Sequence, residues 1–216
     1  MFQRLATIRD NVQLAERTYR VRLECPDIAR TIRPGQFLML RVPHTNDPLL
    51  GRPFALYDTI LDDGGNPVGL EIVYLVVGKM TSLLATLAEG TLEVWGPLGN
   101  GFPDLGSQEQ VVCVAGGIGQ TPFLAYARSL FGLRGYGGQP PKQQAQKVSL
   151  YYGVRSLAFA AGVADFEATG CAVRLASDDG SCGYRGFVTQ LLEQERPTGP
   201  IVGCGPEPML KALTQL

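Results

Sequence analysis

Apolar positions along this chain follow two different rhythms. Through roughly the first 104 residues they come in short segments rich in β-branched and aromatic side chains, at 6–9, 19–23, 37–42, 54–57, 70–77 and 92–95. Turn chemistry separates the segments: Pro34-Gly35, the run Asp62-Asp63-Gly64-Gly65-Asn66-Pro67, and Gly96-Pro97. One helical interruption, 82–88, closes at Gly90. The pattern predicts a six-stranded antiparallel β-barrel over 1–104. From Glu109 onward the apolar runs become continuous, at 111–115, 148–152, 172–176 and 201–204, and helical spacing fills the intervals. Such runs suit parallel strands buried on both faces. The expected fold class is therefore β + α/β, the barrel being followed over 105–216 by a Rossmann-like parallel-sheet nucleotide-binding domain.

Val111 to Ala115 run straight into Gly116-Gly117-Ile118-Gly119, then Gln120, Thr121 and Pro122. Three glycines in four residues free the backbone for positive φ and close approach to a ligand. Thr121 is expected to cap a helix whose first position is Pro122, with Phe123, Ala127, Leu130 and Phe131 on one face. Strand, glycine turn and helix start together make an anion site, read here as the cradle of a dinucleotide pyrophosphate. A glycine-rich turn without a ligand is the plainer alternative. Pro122 stands where a standard fingerprint has its third glycine, and no Gly-Lys-Ser/Thr follows, which excludes an ATP-type loop.

The four strands of the second half end at Gly116, Gly153, Ser177 and Gly205, and ligands of such sheets bind outside the carboxyl ends. The loops 153–156, 177–180 and 205–208 gather there. Cys204 ends a strand at the same edge; a free cysteine is ordinarily a small buried hydrophobe. Residues 132–147, dense in Gly, Pro and Gln, read as a flexible excursion without chemistry. In the first half, Arg52-Pro53-Phe54-Ala55 sets a guanidinium at the start of a strand. Gly78-Lys79-Met80-Thr81-Ser82 runs from a strand into a helix. Singly these are a surface cation and a helix cap; together they are able to clamp one pyrophosphate.

Composition narrows the function. The 216 residues are 45% hydrophobic and 18% charged, enough for two modest domains with real cores. A net charge of −1 recommends neither nucleic acid nor an acidic membrane surface as partner. No apolar run reaches membrane-spanning length and no signal-peptide core follows Met1, so the expected address is cytoplasmic. Five cysteines form no CxxC pair, and the single histidine, His44, lies in a polar loop. Metal sites and histidine-based hydrolysis have no support; the expected metal is none.

Taken in order, RPFALYD, GKMTSLL, VWGPLGNGFP, VAGGIGQTPFLA, SDDGSCGYRGFVT and CGPEPML cover nearly the whole chain. This series resembles the ferredoxin–NADP reductase-like flavoproteins, and among them the electron-transfer subunits of dihydroorotate dehydrogenase B. The resemblance implies an FAD-binding barrel and an NAD-binding α/β domain. It implies that Arg52, Pro53, Phe54 and Ala55 meet the flavin and its pyrophosphate, and that Val73, Tyr74 and Leu75 line the ring and ribityl chain. Gly78, Lys79, Met80, Thr81 and Ser82 would bind the FAD phosphates. Gly116, Gly117, Ile118, Gly119, Gln120 and Thr121 would hold the nicotinamide nucleotide. Cys204, Gly205, Pro206 and Glu207 would lie under the nicotinamide ring, with Cys204 the catalytic position.

Ala55 and Met80 depart from the family pattern, which commonly has a hydroxyl and a glycine there. Asp178 and Asp179, after the third strand, replace the serine and basic residue of NADP users and imply NADH as donor. The family's cysteine-rich [2Fe–2S] segment is absent from these 216 residues, so iron is expected only if the natural chain extends beyond Leu216. The resulting expectation is an NADH- and FAD-dependent oxidoreductase module that passes electrons to a partner redox protein. The first candidate is a dihydroorotate dehydrogenase catalytic subunit, with a homodimer inside a hetero-oligomer as the assembly. The alternatives are a hydrogenase- or sulfite-reductase-type client, and a nucleotide-binding assembly module without turnover.

Overall fold

In the first half, strict alternation of inward and outward side chains builds an antiparallel sheet. In the computed structural model, which describes all 216 residues, β1 (Phe2–Ala15) buries Ala6 and Ile8. β2 (Thr18–Glu24) buries Val21 and Leu23. After a short helix, α1 (Pro26–Ala29), β3 (Phe37–Arg41) buries Leu38 and Leu40. β4 (Arg52–Ala55), β5 (Asp58–Leu61), β6 (Pro67–Leu75), helix α2 (Lys79–Leu84) and β7 (Thr91–Leu98) complete this half. The strand order is β4-β3-β7-β1-β2-β6-β5.

The sheet has seven strands where the sequence predicted six. The apolar stretch 54–57 looked like one strand, yet Leu56 and Tyr57 are both fully buried. Two consecutive inward residues break the two-residue period, so the chain turns a corner there. Leu56 N–H bonds the Gln36 carbonyl and Tyr57 N–H bonds the Glu71 carbonyl. β4 thereby pairs with β3, and β5 with β6. The sheet curls on itself: the rings of Phe54 on β4 and Tyr74 on β6, five places apart in the order, meet edge to face at 6.1 Å. α2 begins three residues before the expected 82, and Gly90, at φ +113, serves the turn into β7.

The second half carries β8 (Gln108–Gly116), α3 (Phe123–Leu130), β9 (Ala145–Val154), α4 (Val163–Glu167) and β10 (Ala172–Ser177). Then follow β11 (Tyr184–Arg185), α5 (Val188–Glu195), β12 (Ile201–Cys204) and α6 (Glu207–Leu213). All its strand pairs are parallel, in the order β11-β10-β9-β8-β12. Val111 to Ala115 are each buried, as a strand covered on both faces requires. Val188, Leu191 and Leu192 of α5 pack on Val112, Val114, Tyr151 and Ala176. The Tyr151 hydroxyl donates to Glu195 at 2.7 Å and fixes the end of α5. No helix is long and apolar enough to cross a membrane.

Thr121 does not cap a helix. Residues Gly117–Gln120 leave the strand as a 3₁₀ turn, and Gly116 supplies the extended residue that a cap needs (φ −116, ψ 116). Thr121 is already right-handed, and α3 starts at Phe123. The excursion 132–147 is not a free loop either. The chain divides into two units, Met1–Pro103 with Gly135–Pro140, and Asp104–Arg134 with Pro141–Leu216. Within the first unit, buried Tyr136 donates a 2.6 Å hydrogen bond to fully buried Asp58.

Candidate functional site

In the first unit the curl leaves two backbone edges open. β4 pairs only with β3, and β6 loses β5 beyond Glu71, so residues 72–75 have no strand partner on that side. The Phe54–Tyr74 ring contact brings these edges to one place. Unpaired strand N–H and C=O groups are ready hydrogen-bonding partners for a flat heteroaromatic ring. Val73 and Tyr74 are 2% and 1% exposed, so they are available to such a ring through their backbone; Leu75 is half-buried. Tyr74 also stacks on Tyr19 at 5.8 Å and donates to Asn11 at 3.0 Å. Asn11 in turn donates to the Leu84 and Leu87 carbonyls, which ties β6 to the end of α2. Burial pushes the Tyr74 hydroxyl well above its ordinary pKa.

Arg52 is exposed, and its Nη1 leans back on the Leu50 and Gly51 carbonyls at 3.1 Å, with no carboxylate partner. Pro53 is exposed; Phe54 and Ala55 are half-buried. Gly78 is extended and a Cβ there would meet nothing within 4 Å, so the start of α2 is open. The Thr81 hydroxyl is occupied, accepting from the N–H groups of Val77 and Gly78 at 3.0 and 3.1 Å and donating to the Gly78 carbonyl. It therefore shapes the turn and is not free for a phosphate. The Lys79, Met80 and Thr81 N–H groups, lacking partners within the helix, remain as donors. Met80 is 3% exposed, turned inward, so its bulk does not obstruct the turn. Ser82 is exposed, and Lys79 Nζ meets Asp47 at 2.6 Å. Open edges, an uncompensated guanidinium and free helix-start N–H groups fit the ring and the pyrophosphate of a flavin dinucleotide.

In the second unit β12 pairs with β8 in the register Cys204↔Ala115. The glycine turn therefore lies directly on the loop after Cys204. A Cβ on Gly119 would collide with the Cys204 carbonyl, and one on Gly116 would stand 2.8 Å from both Pro206 Cδ and Met209 Sδ. Gly205 returns the contact, its Cβ position lying 2.9 Å from Gly116 N. Gly117, at φ +55, has nothing within 4 Å of its Cβ position, and Ile118 is 36% exposed. One side of the turn is thus packed shut and the other presents bare backbone, a cradle that any side chain would fill. Thr121 is buried, and Gln120 is fully buried with neither amide atom hydrogen-bonded.

Cys204 is half-buried at this junction, and burial raises its thiol pKa, keeping it neutral near pH 7. It offers a small polarizable surface and no thiolate nucleophile. Glu207 is exposed and pairs with Lys211 at 2.7 Å. Asp178 and Asp179 follow β10 as expected, but they differ in state. The Asp179 carboxylate accepts from Ser181 N–H and Oγ at 2.9 and 2.6 Å, and these bonds lower its pKa. Asp178 is exposed, its N–H bonded to the Val154 carbonyl. The two-residue strand β11 and the Tyr136–Asp58 bond escaped the sequence reading; each rests on contacts with no local signature.

The five cysteines are all unpaired, and no three His, Cys, Asp or Glu side chains converge to hold a metal ion. These residues do not fit an iron–sulfur cluster, and no chemistry is assigned to one.

Known proteins share this fold. No family model matches the chain. Among solved structures, an NADH-dependent reduced ferredoxin–NADP oxidoreductase superposes with a TM-score of 0.77 at 24% identity, covering 98% of this chain and 71% of that one. Phthalate dioxygenase reductase superposes with a TM-score of 0.74 at 19% identity, covering 99% and 63%. The fold is that of the ferredoxin reductase-like flavoproteins. The dihydroorotate dehydrogenase B (NAD⁺) electron transfer subunit of Geobacillus thermodenitrificans is 35% identical over 213 residues, 97% of this chain and 77% of that one. The Desulforamulus reducens subunit is 32% identical over 208 residues, 94% and 73%. The chain belongs to the family of dihydroorotate dehydrogenase B electron transfer subunits. It spans about three quarters of the length of these relatives.

Proposed function

We propose that this chain accepts hydride from NADH on FAD and passes the electrons to a dihydroorotate dehydrogenase catalytic subunit. The observation that carries the reading is the seating of the glycine turn on Cys204–Pro206, which offers bare backbone for a pyrophosphate beside a neutral thiol surface for a nicotinamide ring. Bound FAD supplies the hydride-accepting and electron-transfer chemistry. The side chains bind and orient. Arg52 and the start of α2 neutralise the FAD pyrophosphate, while the open edges of β4 and residues 72–75 hold the ring. Gly116, Gly117 and Gly119 let the nucleotide backbone approach, and Asp178 accepts hydrogen bonds from the adenosine ribose. Hydride transfer between two rings needs no acid–base side chain, in keeping with a site without histidine. The relatives' names supply the client and NAD as the nicotinamide nucleotide. A [2Fe–2S] relay belongs to this reading only through residues beyond these 216.

The test is optical. Purified chain reconstituted with FAD should bleach its flavin absorbance on anaerobic addition of one equivalent of NADH and recover it with an added dye. Protein that holds FAD and stays oxidised under NADH would exclude the reading.

A further inference from the structure

Gln120 ends the glycine turn wholly buried, with neither Nε2 nor Oε1 within hydrogen-bond reach of a partner. The other buried glutamine of the chain is fully engaged. Gln36 accepts from the Arg33 N–H at 2.9 Å through Oε1 and donates to the Gly99 carbonyl at 2.8 Å through Nε2. Thr169 and Ser177, buried hydroxyls of the second unit, donate to the Phe166 and Cys182 carbonyls at 2.7 Å. A buried carboxamide without partners loses its hydration at both ends and recovers nothing. An apolar side chain of the same length carries no such cost, so Gln120 is a poor choice for this arrangement of the turn.

The turn itself is fixed on one side and open on the other. Gly119, next to Gln120, is wedged against the Cys204 carbonyl, and strand pairing holds that contact in register. Gly117 has a φ of +55 and nothing within 4 Å of its Cβ position, and Ile118 is 36% exposed. The exit is closed by a Thr121 N–H to Ile118 carbonyl bond of 3.2 Å. Hydrogen-bond geometry in such 3₁₀ segments is poorer than in an α-helix, which lowers the cost of re-forming them.

We propose that Gln120 is a positioning residue for the nicotinamide nucleotide. The pyrophosphate draws on the N–H groups at the open end and re-seats the turn, and there the Gln120 carboxamide makes the hydrogen bonds it lacks here. The inference rests on the glycine turn being the nucleotide cradle. A ligand shifts a conformational equilibrium only by its differential free energy with the two states, and the recovered carboxamide bonds add to that difference. Gln120 thus sets how tightly the nucleotide is held, while the rings that exchange hydride lie elsewhere.

The test uses the FAD-loaded chain and two variants, Gln120→Leu and Gln120→Met, which remove the amide at nearly constant length. Without nucleotide, both should melt about 2–4 °C above wild type, because an unpaired buried amide is gone. In calorimetric titration with NAD⁺ both should bind about tenfold more weakly. Stopped-flow reduction of the flavin should place the loss on the half-saturating NADH concentration and not on the limiting rate. The side-chain amide resonances that the variants lack should shift in the wild type when NAD⁺ is added. Variants that melt at or below the wild-type temperature, as a carboxamide held by a resident water would give, would overturn the proposal. So would wild-type NAD⁺ affinity in both variants while the wild type itself binds NAD⁺ and is reduced by NADH. A wild-type chain that binds no NAD⁺ would remove the proposed function and this inference together.

Discussion

The Cys204 carbonyl oxygen occupies the space that a side chain on Gly119 would need. Two candidate elements from different strands, the glycine turn and the strand end that carries the cysteine, are locked together at that point. Gly119→Ala must push them apart. Small displacements of a reacting group cost on the order of a hundredfold in rate, so kcat/KM for NADH should fall by about that much. FAD content, which depends on the other unit, should hold. Stopped-flow flavin reduction by NADH checks both.

Arg52 presents a guanidinium with carbonyl contacts alone. If Arg52 holds the FAD pyrophosphate as proposed, Arg52→Ala removes a charge-assisted contact worth roughly 1.5–3 kcal/mol, or about ten- to a hundredfold in affinity. The variant should purify with little FAD, rebind it weakly in a fluorescence titration, and keep its circular dichroism. Wild-type occupancy would remove Arg52 from the site.

Nucleotide choice should depend on Asp178 more than on Asp179. The Asp179 carboxylate is committed to Ser181, whereas Asp178 is exposed at the end of β10. Two like charges about 5 Å apart at an effective dielectric near 20 repel by roughly 3 kcal/mol, which disfavours a 2′-phosphate. The chain should therefore show kcat/KM at least about tenfold higher for NADH than for NADPH. Asp178→Ser should narrow that gap, while Asp179→Asn should chiefly lower the melting temperature. Equal use of both nucleotides by the wild type would refute the assignment.

Stability should decline on the alkaline side. Burial raises Cys171 to about 12 and pushes Cys113 and Cys204 upward. A raised folded-state pKa means that the thiol's contribution is fully present below the unfolded value, near 8.5. It is lost as pH climbs from there toward 12 for Cys171. Urea midpoints should hold between pH 7 and 8 and then fall, and Cys171→Ala should flatten the fall. An unchanged slope in that variant would clear Cys171 of the effect.

How much the sequence disclosed depends on how local each cause is. Val111 to Ala115 read as a doubly covered strand because burial of every residue is written in every residue. The glycines at 116 and 119 likewise marked a close approach, here to the loop after Cys204, and Gly117 takes the positive φ that its lack of a side chain allows. The corner at Leu56 and Tyr57 looked like more strand, because an unbroken apolar run does not reveal that two neighbours face the same way. The start of α2 depends on a threonine hydroxyl reaching back to Val77 and Gly78, a geometry no propensity reports. The inward turn of Val73 and Tyr74, and the capture of Asp179 by Ser181, likewise lie in side-chain directions that a motif leaves open.

The Tyr136–Asp58 bond sets an order of events during synthesis. Asp58 belongs to a sheet whose last strand ends at Leu98, but its hydroxyl donor is translated only after β8 and α3 of the next unit. Through those dozens of residues the nascent barrel carries that carboxylate without its tyrosine donor. A gene cut after Pro103 would leave that carboxylate without the tyrosine for good. The first unit is completed by a segment that the chain supplies only after it has begun the second.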